Sequence, residues 1–234
     1  DNNFRFTKSI WEWCAAHKKR LIYASSAATY GDGSRGFDDS IEGIPDLRPL
    51  NGYGISKQIF DMWALEQTQK PSQWVGLKFF NVYGPNEYHK GSMASVIFHT
   101  FNQIKQSGRM KLFKSYHPDY ADGEQLRDFV YVMDIVKLVW FLLNNETVNG
   151  IYNVGTGQAR SFYDLAKNVF LTLGLEPDIE FIDMPEGLRE KYQYYTQAEV
   201  GKLRRAGYGE EFYSLEDGVH DYVGNYLAKD YLRY

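Results

Sequence analysis

The run Leu21-Ile22-Tyr23-Ala24, closed by Ser25-Ser26, limits what this chain can become more than any other feature. It is short and apolar, without polar alternation, the pattern of a strand buried on both faces of a parallel sheet. Comparable runs follow at Trp74-Val75-Gly76-Leu77-Lys78-Phe79-Phe80 and at Ile151-Tyr152-Asn153-Val154-Gly155, with helix-period segments between them. That alternation predicts an α/β fold. Open sheets of this class bind ligands outside the carboxyl ends of their strands. Ser26 and Asn81 stand at two such expected ends.

Pro49-Leu50-Asn51 leads into a segment that reads as a helix to about Gln67, with Tyr53 and Lys57 near its start. A spacing of four puts both side chains on one helix face, with their heads close together. A phenol titrates near ~10 in isolation and needs help to act as a base at neutral pH. A nearby ammonium favours the phenolate and supplies that help. Such a pair suits removal of a proton from a hydroxyl while hydride leaves the same carbon. With 19 tyrosines and 15 lysines in 234 residues, about one Tyr-x-x-x-Lys arises by chance. There are two. The second, Tyr163 with Lys167, is expected in another helix with no hydroxyl-bearing strand end before it. Context selects Tyr53, and Ser26, Tyr53 and Lys57 together match the triad of an extended short-chain dehydrogenase/reductase.

The length allows one large α/β domain or a domain and a half, and 44% hydrophobic residues suffice for its core. A net charge of −4 without a basic run argues against nucleic acid as a partner. The single cysteine, Cys14, excludes an internal disulfide and points to a reducing, cytoplasmic setting. The longest apolar run, Leu138 to Leu143, is far too short to span a bilayer. No metal-ligand spacing appears, since His89 and His99 stand apart without a paired carboxylate motif. Asp1-Asn2-Asn3 is expected to cap a helix reaching about His17, with Phe6, Ile10, Trp13 and Cys14 as its apolar stripe. A parallel sheet whose first strand already carries the serine reads as missing its beginning. The chain is therefore expected to be a fragment of a longer protein.

Gly31-Asp32-Gly33-Ser34-Arg35-Gly36 matches G-x-G-x-x-G by letter, but a proline-containing loop follows rather than a helix facing a pyrophosphate. It reads as a surface loop. Asn86 to Gly91 lies just past a ligand-facing strand end and contains Lys90, ahead of a helix expected from Ser92 to about Gln106. That helix terminus and partial burial would disfavour charge on Lys90. Arg127 is the best candidate for a phosphate contact, because its guanidinium fork matches two phosphate oxygens. The competing reading is a surface ion pair with Asp128 or Glu124. A late strand over Asp178 to Ile182 and two short helices complete the expected elements.

Taken in order, several blocks resemble the ADP-L-glycero-D-manno-heptose 6-epimerases, a family of extended short-chain dehydrogenases/reductases. They are Ala24-Ser25-Ser26-Ala27-Ala28-Thr29-Tyr30-Gly31, Tyr53-Gly54-x-Ser56-Lys57, Phe80-Asn81-Val82-Tyr83-Gly84-Pro85, His89-Lys90-Gly91-Ser92-Met93-Ala94-Ser95 and Arg127-Asp128-Phe129-Val130-Tyr131-Val132. Tyr192-Gln193-x-x-Thr196-Gln197-Ala198 and the His-Lys-Gly-Ser-Met-Ala-Ser block are the more specific signals; the others occur in many nucleotide-sugar epimerases. The resemblance implies the carboxyl-terminal part of a Rossmann-like doubly wound parallel sheet, with a smaller α/β substrate-binding domain. Residues 1–80 and 131–157 would belong to the first, and 81–130 and 158–234 mainly to the second. It further implies an isomerase that uses NADP, or NAD as a second option, one per subunit. The enzyme would convert ADP-D-glycero-D-manno-heptose to its L-glycero epimer by transient oxidation at C6, for the lipopolysaccharide core. A homo-oligomer with no membrane partner is expected.

Carried over by position, Tyr53 would be the proton acceptor and Lys90 a second acid/base. Ser26 would hydrogen-bond the reacting oxygen, and Lys57 would hold the nicotinamide ribose. Asn2 and Val82 would touch cofactor, as would Lys90. Asn81, Ser92, His99, Phe113, Lys114, Ser115, Tyr116, Arg127 and Tyr192 would bind substrate, together with Ser26. The family's own glycine-rich loop would lie before Asp1.

A 4,6-dehydratase would need an added acid, usually an Asp-Glu pair, where this chain has Ala27-Ala28. A 4-epimerase shares the chemistry and is separated from the heptose enzyme by Lys90 with Ser92. An inactive fragment or a redox-silent binding protein with the same fold is the reading from a different class.

Overall fold

The computed structural model describes residues 2–189 and 192–231. Its residues fall into two compact units: Asp1–Phe80, Val136–Gly157 and Ala198–Glu210 in the first, Asn81–Ile135, Gln158–Gln197 and Glu211–Tyr234 in the second. The first unit therefore begins its middle segment at Val136 rather than at 131 and also takes in Ala198–Glu210.

In the first unit a π-helical turn, Asn2–Phe6, runs into helix α1, Thr7–Ala16. Strand β1, Arg20–Ser26, follows, then helix α2, Gly52–Glu66, and strand β2, Gln73–Phe79. The sheet order is β1-β2-β6, with β6 at Gly150–Val154, and all pairs are parallel. Ser26 registers with Phe79, and Phe79 with Val154, so the three carboxyl ends lie side by side. The apolar runs produce this sheet as expected.

The core of this unit gathers Trp11, Tyr23, Ile44, Phe60, Ala64, Trp74 and Ile151. Trp11 is 1% exposed and meets Trp74 at 5.2 Å between ring centres, with its indole N–H donating to Gln69 O. Truncating it to alanine is expected to cost about 3–5 kcal/mol. The expected stripe on α1 needs correction. Trp11 and Cys14 face inward, whereas Phe6 and Trp13 are more than half exposed. The expected amino-terminal cap falls largely outside the described residues, which do not include Asp1 or the side chain of Asn2, and α1 itself begins after Phe6 with no side-chain cap.

Helix α2 starts where Asn51 accepts the Gly54 N–H at 2.8 Å, a capping bond that satisfies one orphan donor of the first turn. The loop at Gly31–Gly36 is followed only by irregular chain and a three-residue 3₁₀ turn, Ile44–Asp46. Gly31 is explained by packing, since a Cβ there would lie 1.8 Å from Arg48 O.

In the second unit, strand β3, Asn81–Tyr83, pairs in parallel with β5, Leu126–Tyr131, and β5 pairs antiparallel with β7, Ala159–Ser161. Strand β4, Met110–Phe113, pairs in parallel with β8, Ile179–Ile182. Helices α3, Val96–Ser107, and α5, Phe162–Thr172, cover a core containing Ile97, Phe101, Phe129, Leu165, Val169 and Phe170. Helix α4, Val132–Asn144, follows β5 directly and passes into the first unit at Val136. The tail holds more than two short helices: α6, Glu186–Arg189, α7, Gly201–Arg205, and α8, Leu215–Asp221, with further turns to Lys229.

Three local expectations are revised. Asn81 opens a new strand instead of ending β2. The helix expected from Ser92 begins at Val96, because Ser95 provides the cap for Phe98 N–H while residues 88–93 form a 3₁₀ turn. A strand ending in a hydroxyl does precede Tyr163, namely β7, but the Ser161 hydroxyl accepts the Asp164 N–H at 3.0 Å and caps α5. Among the described residues no helix is long and apolar enough to cross a membrane.

Candidate active site

The end of β1 and the first two turns of α2 assemble three candidate side chains within the first unit. Ser26 is 9% exposed, and its hydroxyl oxygen accepts the Ala28 N–H at 3.1 Å, capping the 3₁₀ turn Ala27–Tyr30. An acceptor lone pair is thereby occupied while the O–H keeps its donor free for a ligand oxygen. The Lys57 ammonium donates to Ala24 O at 2.8 Å, which ties α2 to β1. It lies 5.7 Å from the centre of the Tyr53 ring, so the spacing of four sets the two side chains side by side on one face of α2. Burial pushes the Lys57 ammonium below its ordinary pKa, and the negative charge of Asp61 acts in the opposite sense. Tyr53 itself is 50% exposed, open to a ligand. Gly54, beside it, has no room for a side chain: a Cβ would meet Ala28 O at 2.6 Å. The second Tyr-x-x-x-Lys pair, on α5, has none of this setting.

Apart from Asn2, the remaining candidates belong to the second unit. Ser92, His99, Phe113 and Tyr192 line one cavity of about 600 Å³, together with Val96, Gln125 and Phe162. Its walls are mainly apolar with a few polar groups, the common makeup of a small-molecule pocket. Val82 and Lys90 line a second hollow of about 220 Å³ with Glu87 and Val132. Lys90 is exposed and sits on the 3₁₀ turn Tyr88–Met93, with α3 starting six residues later. The partial burial and the place at a helix start expected for Lys90 are therefore not found.

Arg127 is buried, 8% exposed, and not the surface ion pair offered as its alternative role. Its guanidinium donates to Leu126 O at 2.8 Å and to Gln193 O, and lies between the rings of Phe162 and Tyr192 at 5.5 and 5.3 Å. Burial lowers its pKa, with Tyr192 and Tyr120 acting in the opposite sense. Among the described residues it has no carboxylate partner.

Lys114, Ser115 and Tyr116 stand apart from the cavity. Lys114 pairs with Asp183 at 3.1 Å, Ser115 donates its backbone N–H to Asp122, and Tyr116 donates to Asp183 under the guanidinium of Arg189. Asn81 is exposed at the start of β3. The side chain of Asn2 lies outside the described residues. Sequence reasoning passed over Gln125, Phe162 and Val96, which frame the cavity from the loop before β5, from α5 and from α3. It also passed over Glu87, whose carboxylate accepts from Ser95 and Tyr222. No group of three or more His, Cys, Asp or Glu is placed to hold a metal ion among the described residues.

Against known proteins, the model of the family described as NAD dependent epimerase/dehydratase matches residues 1–155. The chain belongs to that family. It is 54% identical over 238 residues to the ADP-L-glycero-D-manno-heptose-6-epimerase of Fusobacterium nucleatum, covering 98% of this chain and 72% of that protein. It is 56% identical over 228 residues to the protein of the same name from Nitratidesulfovibrio vulgaris Hildenborough, covering 97% and 70%. The crystal structure of the Helicobacter pylori ADP-L-glycero-D-manno-heptose-6-epimerase superposes with a TM-score of 0.75 at 30% identity, covering 95% of this chain and 64% of that one. With that structure the chain shares a Rossmann-type α/β fold built on parallel sheets.

Proposed function

We propose that the protein is an NADP-dependent epimerase that converts ADP-D-glycero-D-manno-heptose to the L-glycero epimer by inverting C6, supplying the lipopolysaccharide core. The observation that carries this reading is the triad geometry of Ser26, Tyr53 and Lys57 in a chain that also holds the His89-to-Ser95 block and is 54% identical to a protein of that name.

The residues present fit the nicotinamide end of a dinucleotide. Lys57 spends one of its three N–H donors on Ala24 O, leaving two for ribose hydroxyls. Val82 and Lys90 border a hollow of about 220 Å³. When bound, the dinucleotide supplies reversible hydride acceptance. Tyr53 takes the proton from the hydroxyl of the carbon being inverted and later returns one. Ser26 donates to the reacting oxygen. Lys90 serves as proton carrier for the opposite face, since inversion presents the oxygen in two places. Arg127 holds a phosphate, supported by its burial without a carboxylate partner. Ser92, His99, Phe113 and Tyr192 would contact the rest of the nucleotide sugar, with Asn81 and the 114–116 segment at its margin. The enzyme would work in the cytoplasm as a homo-oligomer.

The test is to incubate the full-length protein with ADP-heptose and with UDP-galactose separately and follow epimer ratios by NMR. Interconversion of the C6 epimers of ADP-heptose alone is expected. Turnover of UDP-galactose alone would replace this reading with a 4-epimerase.

A further inference from the structure

Beneath the triad lies a fully buried ion pair, Asp61 with Lys78, that the proposed chemistry leaves unused. Lys78 Nζ reaches Asp61 Oδ2 at 2.8 Å, and both side chains have no exposed surface. Asp61 follows Lys57 by one helical turn and Tyr53 by two, on the same face of α2. Its carboxylate also receives the hydroxyls of Ser25 at 2.6 Å and Tyr23 at 3.0 Å, both on β1. Lys78, on β2, donates in addition to Thr29 Oγ1 at 2.7 Å, and the Thr29 hydroxyl donates to Ser26 O at 2.9 Å. One continuous set of hydrogen bonds thus joins the helix carrying Tyr53 and Lys57 to the strand end and turn carrying Ser26.

Stability alone is a weak reason for such a pair. Removing two charges from water costs several kcal/mol each, and apolar residues of equal volume often do as well or better. What an apolar pair could not reproduce is directional contact to three elements at once. The charges are arranged so that every partner lies on an element that bears or flanks a triad residue.

We infer that the Asp61–Lys78 pair, through Ser25 and Thr29, is a positioning device that holds Ser26 in register with Tyr53 and Lys57. This rests on the triad reading above. Asp61 also faces Lys57 electrostatically and offsets part of the effect of burial on that ammonium. Neither Asp61 nor Lys78 would touch substrate.

The test cuts the link at its mildest point in the full-length enzyme. Thr29→Val keeps side-chain volume and removes no charge, but severs Lys78 from the Ser26 turn. Turnover should fall about tenfold or more with KM within about threefold, since misplacement of a catalytic group by a fraction of an ångström is costly. Combined with Ser26→Ala, the further loss should be much smaller than in the single variant, because both act on the same oxygen contact. A purely structural role predicts independent, multiplying losses or unchanged turnover in folded Thr29→Val, and either result overturns the inference. Asp61→Asn combined with Lys78→Gln gives a second measurement: one amide oxygen can still accept from Ser25 and from the residue at 78, while the contact to Tyr23 loses its acceptor, so turnover should survive better than in Thr29→Val, and the reverse ranking counts against positioning. Tyr53→Phe is run in parallel. If it retains full turnover, the triad reading itself fails; if it is inactive while Thr29→Val is unaffected, only the positioning role falls.

Discussion

Glu87 receives both the backbone N–H and the hydroxyl of Ser95, at 2.7 and 2.6 Å. The Tyr222 hydroxyl adds a third bond at 2.9 Å to a carboxylate in a residue only 4% exposed. These contacts close the turn bearing Lys90 and Ser92 onto the start of α3. Alanine at Glu87 would leave those donors without partners, each orphaned group costing about 1–3 kcal/mol. Calorimetry of Glu87→Ala should show a Tm lower by roughly 5 °C or more. An unchanged Tm would mean that the turn is held by other contacts.

Tyr53→Phe removes the proposed proton carrier while keeping the ring on α2. Turnover in the full-length enzyme should drop by ~10²-fold or more. Tyr163→Phe, in the second Tyr-x-x-x-Lys pair, should leave it near wild type. Steady-state rates of the two variants decide the assignment, and equal losses would defeat it.

Lys90→Met separates a proton carrier from an anchor. A base shapes turnover, whereas a phosphate contact mainly shapes affinity. The expected result is a strong fall in kcat with ADP-sugar affinity nearly intact, read from saturation kinetics and direct titration. Weakened binding with unchanged saturated turnover would make Lys90 an anchor only.

Arg127→Met tests the buried guanidinium. Losing one partner of a buried charge contact costs about 2 kcal/mol or more, so KM should rise by roughly 30-fold at least. Arg127→Lys should recover little of this, because an ammonium lacks the planar fork that fits between Phe162 and Tyr192. Wild-type KM in either variant would exclude a phosphate contact.

Gly54→Ala reverses an ordinary expectation. Alanine in a helix interior is normally favoured over glycine by about 1 kcal/mol. Here the added methyl would sit 2.6 Å from Ala28 O and 2.9 Å from Pro49 Cβ, and a backbone carbonyl cannot swing away. The variant should unfold at lower denaturant and lose turnover, because α2 would be pushed off the turn that follows Ser26. A gain in stability would show that the contact relaxes freely.

What the sequence showed best was what depends on neighbours along the chain. Apolar runs located β1, β2 and β6, and the spacing of four placed Tyr53 beside Lys57. The stripe on α1 was right at Cys14 and misplaced at Phe6 and Trp13, because Trp11 lies three residues before Cys14 just as Ile10 lies three before Trp13, and apolar side chains occur on both faces. The start of α3 was misplaced because Ser92 and Ser95 are both plausible caps, and Glu87 decides between them from eight residues upstream. Strand β7 has three residues and exists through its pairing with β5, so no local pattern announces it. The cavity draws Val96, Gln125 and Phe162 from separate stretches of the chain, a convergence that only the folded chain creates.

The chain changes unit five times, at Phe80/Asn81, Ile135/Val136, Gly157/Gln158, Gln197/Ala198 and Glu210/Glu211. Strand β6 must find β2 across more than seventy intervening residues, most of them belonging to the other unit. No single cut in the gene can therefore deliver either half intact. An excerpt ending at Phe80 lacks the third strand of its sheet, and one starting at Asn81 carries that strand without its neighbours. Dissection of this enzyme into separately expressed parts would have to splice three segments for each, and evolutionary exchange of one half for another faces the same bar.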